Sequence, residues 1–326
     1  MISLGIESSA YVFGVGIIKD NGEIIADQRL AYIPEAGKGL IPEDAKKFHL
    51  KNSKKVLKAA LDEANLSLDN IDVISYTAGP GIPPCLLVGA DLAINLAKRY
   101  KKPIVPVHHG IGHIEIGKLM TGAKNPIIVY LSGGHSAILG YVESFYKVIG
   151  ETQNITLGNV FDMFARELGL PMPGGPKVEE LALSGKYVEL PYTVKGCDLS
   201  YSGILTAALN LLKRGVPKED IAYSLQETCF AMLTEVTERA LAHTNKEEVL
   251  LVGGVAANKR LQEMMSIMCE ERKAKFYVVQ PKYSGDNGVM IALCGLLEYK
   301  YGCTPKIKDK VLPKWRIDEV RICWIK

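Results

Sequence analysis

The stretch NPIIVYLSGGHSAIL (125–139), with PIVPVHHGIGHIEIGKLM (103–120) just before it, decides how the chain is read. It predicts a buried strand (104–107), a helix opening on histidines, and a second strand (127–131). That strand breaks at Ser132-Gly133-Gly134 and resumes as a third. Four of the chain's six histidines, His108, His109, His113 and His135, fall in this window. On a helix, His109 and His113 stand one turn apart on the same face. Two imidazoles so placed can grip one metal ion. Beyond Tyr130, the bare N–H groups of a glycine turn suit phosphate oxygens. His108 is a rival ligand, but it lies five residues from His113 and diverges around the helix.

Working outward, IIVYLSGGHSAILGYV (127–142) echoes ISLGIESSAYVFGVGII (2–18): strand, small polar turn, strand. Asp20-Asn21-Gly22 turns the chain into a further strand at Glu23-Ile24-Ile25. Helical periodicity covers 42–64 and 86–100, with a buried strand at 71–76 between them. A third glycine turn, Gly253-Gly254-Val255-Ala256-Ala257-Asn258, follows a strand at 249–252. Antiparallel hairpins mixed with strand–helix–strand crossovers mark an α/β protein. Two duplicated halves and three such turns are the layout of the actin/Hsp70/sugar-kinase superfold, with a nucleotide cleft between the halves. The halves are expected at 1–124 and 125–326, the final segment packing back on the first.

Bulk properties exclude several classes. A chain of 326 residues exceeds what one core usually serves. The 48% hydrophobic and 23% charged content is that of a soluble globular protein. No apolar run reaches the ~18 residues that span a bilayer, and the N-terminus enters a strand with no basic leader. Seven scattered cysteines without a CxxC form neither a disulfide nor a zinc framework. The expected location is the cytoplasm. A net charge of +3 does not announce a nucleic-acid binder. The lysine-rich KKFHLKNSKK (46–55) reads as a solvated helix face, with an RNA-backbone contact as the alternative. The tail 299–326 offers no signal beyond a strand at 320–325.

Ten segments carry a closer resemblance: GIESSA (5–10), GPG (79–81), HGIGH (109–113), YLSGGH (130–135), GNVFDMFARELGL (158–170), PGGPKVE (173–179), LPYTVKGCDLSYSG (190–203), SLQET (224–228), VGGVAANKRL (252–261) and DNGVMIA (286–292). In this order and over nearly the whole chain they resemble the tRNA N6-adenosine threonylcarbamoyltransferase family, in its archaeal and eukaryotic branch, the catalytic subunit of the KEOPS complex. The resemblance implies transfer of a threonylcarbamoyl group from threonylcarbamoyl-AMP to N6 of the adenosine 3′ of the anticodon in ANN-decoding tRNAs. It implies Asp286 as third metal ligand and Tyr130 as a fourth contact, for iron first, with zinc, manganese or magnesium as alternatives. For an adenine nucleotide (threonylcarbamoyl-AMP, ATP or AMP) it implies Tyr130, Leu131, Ser132, Gly133, Gly134, Asp162, Gly175, Glu179, Gly254 and Asn258. No residue is assigned as a nucleophile. Implied partners are tRNA, an atypical small protein kinase and small accessory subunits. His135 departs from the family's usual Asn or Thr, Gly285 from a polar residue and Cys197 from Met.

One other reading stays open, and a second fails on one residue. A small-molecule kinase on the same fold would need a carboxylate base, and Glu7 is the acid at a hairpin turn. A metalloprotease of the HExxH type needs a glutamate beside its first histidine, where this chain has Gly110.

Overall fold

The computed structural model describes residues 1–34, 39 and 41–325. The chain opens with three antiparallel strands, β1 (Ile2–Glu7), β2 (Val12–Lys19) and β3 (Ile24–Ala31), then α1 (Pro42–Ala64), β4 (Val73–Gly79), α2 (Pro83–Tyr100), β5 (Ile104–His108) and α3 (His109–Thr121). The pattern restarts with β6 (Ile127–Leu131), β7 (Ser136–Val142) and β8 (Phe145–Glu151), followed by α4 (Leu157–Glu167) and α5 (Gly174–Ala182). A small ribbon, β9 (Val194–Lys195) and β10 (Asp198–Leu199), precedes α6 (Ser202–Lys213) and α7 (Lys218–Thr244). The chain continues with β11 (Glu248–Val252), α8 (Lys259–Glu271), β12 (Lys275–Val278), the single turn α9 (Pro281–Ser284) and α10 (Gly288–Lys300).

The echo between the two hairpins is a true duplication of topology. One sheet runs β3-β2-β1-β4-β5 and the other, read from its far edge, β8-β7-β6-β11-β12. In each, three antiparallel strands are followed by two parallel to the first.

Strand alternation decides what covers each face. In β1 and β2, Leu4, Ile6, Phe13, Val15 and Ile17 join the core formed with Val56, Leu57 and Ala60 of α1 and Val88, Ala90 and Ala93 of α2. The residues between them are Gly5, Gly14 and Gly16, and against that face lies α10. A Cβ on Gly5 would stand 2.1 Å from the Ala292 nitrogen, and one on Gly16 2.2 Å from that of Val289. Alternation in β6 works likewise. Ile127, Val129 and Leu131 point into the core of α4 to α8, whereas Ile128 and Tyr130 point to the other side. That other side is a middle layer in which α3 and α10 lie between the two sheets.

Helix α1 occupies the range expected, and its lysines fit a solvated face: Lys46 and Lys47 pair with Glu43 and Asp44. His49 points inward, its Nε2 2.9 Å from the Ala10 carbonyl. The tail corrects one expectation. Residues 320–325 form no strand. Val320 and Ile322 are buried as plugs, and the Ile322 N–H donates to Ser144 O at the β7–β8 turn, so the segment crosses the hairpin end instead of lying along an edge.

The glycine face gives a direct test. Gly5→Ala forces a methyl group into α10 backbone and should lower folding stability by about 3 kcal/mol. Gly203→Ala, on α6 with nothing within 4 Å of its Cβ position, should raise it by roughly 0.5 kcal/mol. Urea-unfolding midpoints of the two variants check both signs.

Candidate metal centre and nucleotide cleft

Helix α3 begins where β5 ends, and His108 is its cap. His108 Nδ1 accepts from the Gly110 and Ile111 N–H groups at 3.1 and 3.4 Å, and its Nε2 donates to Trp315 O at 3.2 Å. Burial, joined by the charge of His135, lowers its pKa to about 3. Both nitrogens of this neutral ring are committed, so it is no rival ligand.

His109 and His113 project from the next turns with ring centroids 4.7 Å apart. Asp286 comes from the connection between α9 and α10. Its Oδ1 lies 3.2 Å from His113 Nε2 and 3.5 Å from His109 Nε2. One ligand atom from each of the three sits within 4.8 Å of the others. The far nitrogen of His109, Nδ1, is 3.0 Å from Glu7 Oε2. Glu7 itself is fully buried and accepts from the Ser9 N–H at 2.6 Å and from Thr77 Oγ1 at 2.5 Å. A carboxylate on Nδ1 fixes the tautomer that presents Nε2 to an ion. Sequence reading missed this role, although an acid closing the apolar run ISLGIE was its visible sign.

Charge and burial oppose each other here. Burial alone would lower the His109 pKa, but the charges of Glu7 and Asp286 outweigh it and raise the value to about 9. At His113 burial wins and the pKa falls. Burial would raise the Asp286 pKa, yet the His109 charge and the His113 hydrogen bond hold it well below the usual carboxylate range. Tyr130 closes the group: its ring lies 5.6 Å from His113 and is stacked on His135 at 5.3 Å. The Tyr130 hydroxyl is buried without a hydrogen-bond partner, as is His113 Nδ1. Two imidazoles, a carboxylate and an unpartnered phenol suit a divalent cation. His135 stands beside the group but outside the three-ligand cluster. Gly110 has little room for a side chain, since a Cβ there would crowd Ile317, His108 and Tyr130 at 3.1–3.2 Å and require them to shift by a few tenths of an ångström. The position that a zinc protease fills with its base carries no carboxylate in this chain and is crowded by its neighbours.

The cluster lies at one end of a cleft of about 950 Å³. Ser132, Gly133, Gly134, Asp162, Gly175, Glu179, Gly254 and Asn258 all line it. Positions 133, 134, 175 and 254 have nothing within 4 Å of a Cβ, so side chains there would occupy the cleft itself. The Ser132 turn is held from inside, its N–H donating to His135 O at 2.8 Å and its Oγ accepting from the His135 N–H at 3.1 Å. Asp162 commits one oxygen to the Gly174 N–H at 2.7 Å, and Glu179 one to the Lys259 N–H at 2.8 Å. One expected contact falls differently, and another has a second role. Leu131 is fully buried in the outer core, because it alternates with Tyr130. The Asn258 amide is already used, capping α8 through the Leu261 N–H and donating to Gln226 Oε1. The tail adds a wall that the sequence did not signal, with Pro313, Lys314, Trp315 and Arg316 lining the cleft.

Fold and site together define a two-sheet actin/Hsp70/sugar-kinase-type protein with a histidine–carboxylate centre at one end of its cleft. Its topology is shared with full-length HypF in the phosphate- and nucleotide-bound form (TM-score 0.61, 14% identity, 91% of this chain and 46% of that one). The family described as tRNA N6-adenosine threonylcarbamoyltransferase matches residues 23–293. A protein of that name from Caldivirga maquilingensis is 49% identical over 100% of this chain and 98% of its own. The "probable bifunctional tRNA threonylcarbamoyladenosine biosynthesis protein" of Methanosphaera stadtmanae is 48% identical over 100% of this chain, which spans 61% of that relative. The chain belongs to the tRNA N6-adenosine threonylcarbamoyltransferase family.

The His109 environment predicts pH-dependent ion uptake. Below its pKa of about 9 the metal-free ring is protonated, so an incoming ion must displace that proton. Apparent affinity should rise about tenfold per pH unit towards 9 and then level off, with about one proton released per ion at pH 7. Glu7→Gln should weaken binding by roughly 10- to 100-fold at pH 9. Zinc titrations against a chromogenic chelator at several pH values check both.

Proposed function

We propose that the protein transfers the threonylcarbamoyl group of threonylcarbamoyl-AMP to N6 of the adenosine 3′ of the anticodon in ANN-decoding tRNAs. The observation that carries this reading is the three-ligand cluster, with its unpartnered Tyr130 hydroxyl, opening into a cleft bordered by side-chain-free positions. Family membership supports it. The residues 1–124 and 125–326 serve as the two halves that enclose the nucleotide.

The N6 amine is a weak nucleophile because its lone pair is delocalised into the purine. Activation therefore belongs on the acyl side, where a mixed carbamic–phosphoric anhydride carries AMP as leaving group. The N6–carbon bond forms, the carbon–oxygen bond to phosphate breaks, AMP takes the electron pair, and N6 releases a proton. The Ser132-Gly133-Gly134 turn meets the departing phosphate. Asp162 and Glu179 face the ribose hydroxyls, and Gly175 and Gly254 leave room for the nucleoside. His109, His113, Asp286 and Tyr130 hold a divalent ion, iron by preference, with zinc, manganese or magnesium able to fit. Such an ion supplies Lewis-acid polarisation of a carbonyl and anchorage for an anionic group. What the protein contributes is a fixed geometry for attack. No cysteine lines the cleft among the described residues, and Ser132 Oγ is engaged by the His135 N–H, which supports direct transfer without an acyl-enzyme.

The kinase alternative loses its base. Glu7 is wholly buried on His109 and Thr77 and is not among the cleft-lining residues. A separate atypical small kinase and small accessory subunits complete a KEOPS-type assembly on tRNA in the cytoplasm. The bifunctional relative, longer than the region shared with this chain, supports such a companion activity. No described helix is long and apolar enough to cross a membrane.

The test incubates unmodified ANN-decoding tRNA with threonylcarbamoyl-AMP, the protein and its partners, and reads nucleosides by mass spectrometry. Wild type should yield threonylcarbamoyladenosine, and His109→Ala should be slower by about 100-fold or more. Equal rates would keep the transferase and remove the metal role. No product from wild type with partners bound would overturn the reading.

A further inference from the structure

We propose that Arg29 is a positioning residue for the metal-binding carboxylate of Asp286, acting through the backbone that carries it. This inference rests on the reading of the His109–His113–Asp286 cluster as a metal site.

Arg29 sits on β3, 257 residues before Asp286, and its guanidinium spans the connection between α9 and α10. Nη1 donates to the Asp286 carbonyl at 3.0 Å and Nη2 to the Lys282 carbonyl at 2.6 Å. From within that connection, Asn287 Nδ2 donates to the carbonyls of Gly285 at 2.9 Å and Tyr283 at 3.5 Å. Four carbonyls between 282 and 286 are thus held by two side chains, one of them reaching across from the first sheet. The buried Asp27 carboxylate flanks the guanidinium at 3.9 Å and keeps it in place. Gly14, the partner of Arg29 in strand register, makes this approach possible. A Cβ at Gly14 would lie 3.0 Å from the Gly288 nitrogen, so bare sheet backbone lets the start of α10 come down beside Arg29.

The pattern goes beyond general stabilisation because of where the two N–H groups point. One tethers the ligand residue itself, and the other tethers Lys282 within α9, the turn that precedes its connection. A planar fork can hold both at once, whereas a lysine ammonium on a flexible stem would hold one at a time. Asp286 Oδ1 must stay within reach of two imidazole nitrogens, and metal geometry tolerates displacements of only a few tenths of an ångström. Arg29 is not itself among the residues that line the cleft, so it acts behind Asp286 and not on substrate.

The experiment compares wild type, Arg29→Lys, Arg29→Gln and His113→Ala by zinc(II) competition against a chromogenic chelator, by melting of the metal-free proteins, and by cobalt(II) absorption spectra. Arg29→Lys should melt within about 2 °C of wild type, bind zinc about 10- to 100-fold more weakly, and show an altered cobalt spectrum. Unchanged zinc affinity and cobalt spectrum in a folded Arg29 variant, with only the melting temperature lowered, would overturn the proposal and leave Arg29 a structural residue. Failure of both Arg29 variants to fold would do the same. If wild type takes up no zinc, or His113→Ala binds as tightly as wild type, the metal reading itself falls, and this proposal falls with it.

Discussion

The structure depends on one close approach of backbone to backbone. Helix α10 lies on β1 and β2 where Gly5, Gly14 and Gly16 leave no side chains, so closely that a single methyl group at Gly5 or Gly16 would fall far inside van der Waals contact with helix nitrogens. Large residues occupy every second position of the same strands, where they face α1 and α2. This alternation does two things at once. It builds an apolar core on the outer face, and it brings the N-terminus of α10, with Asp286 just before it, down to the level of α3. Any thicker spacing would lift the carboxylate away from the two imidazoles.

The centre then concentrates ionisable groups where the two histidines are buried and Asp286 borders the cleft. Its electrostatics are a balance between desolvation, which disfavours every charge, and pairing, which favours opposite ones. His109 lies between Glu7 and Asp286 and keeps its proton, while His113, with a single carboxylate neighbour, does not. The two histidines share a helix, a face and a burial class, yet differ in protonation because one of them has a second acid behind it. That acid also selects the nitrogen offered to the cleft. Orientation and charge state come from the same carboxylate.

Much of the fold was legible in the sequence because it rests on local pattern. The two hairpins announce themselves by alternation around small polar turns, and their echo implied the duplicated topology that the strand orders display. The bounds of α1 and β6 followed from periodicity and proline placement. The two histidines could be paired because four residues on a helix is a fixed geometry. Asp286 could not be paired that way: nothing local links it to His113, 173 residues earlier, and only the family resemblance supplied it. Leu131 was placed at the cleft by the family resemblance, but strand alternation sends its side chain to the face opposite Tyr130. Asn258 lines the cleft as expected while its amide also serves the helix that it starts. The tail was silent because its role, walling the cleft with Trp315 against His108, arises from chain path and not from composition.

The placement of α3 in the layer between the sheets has a consequence for biosynthesis. Glu7, the two histidines and Tyr130 emerge from the ribosome long before Asp286, which arrives only when nearly nine-tenths of the chain has been made. A partly synthesised chain therefore offers the two imidazoles and the Tyr130 phenol without the carboxylate, an incomplete site for an ion. Tight coordination waits until the last helix has docked between the two sheets. The three side chains of the cluster therefore come together only once the two sheets are joined through α3 and α10.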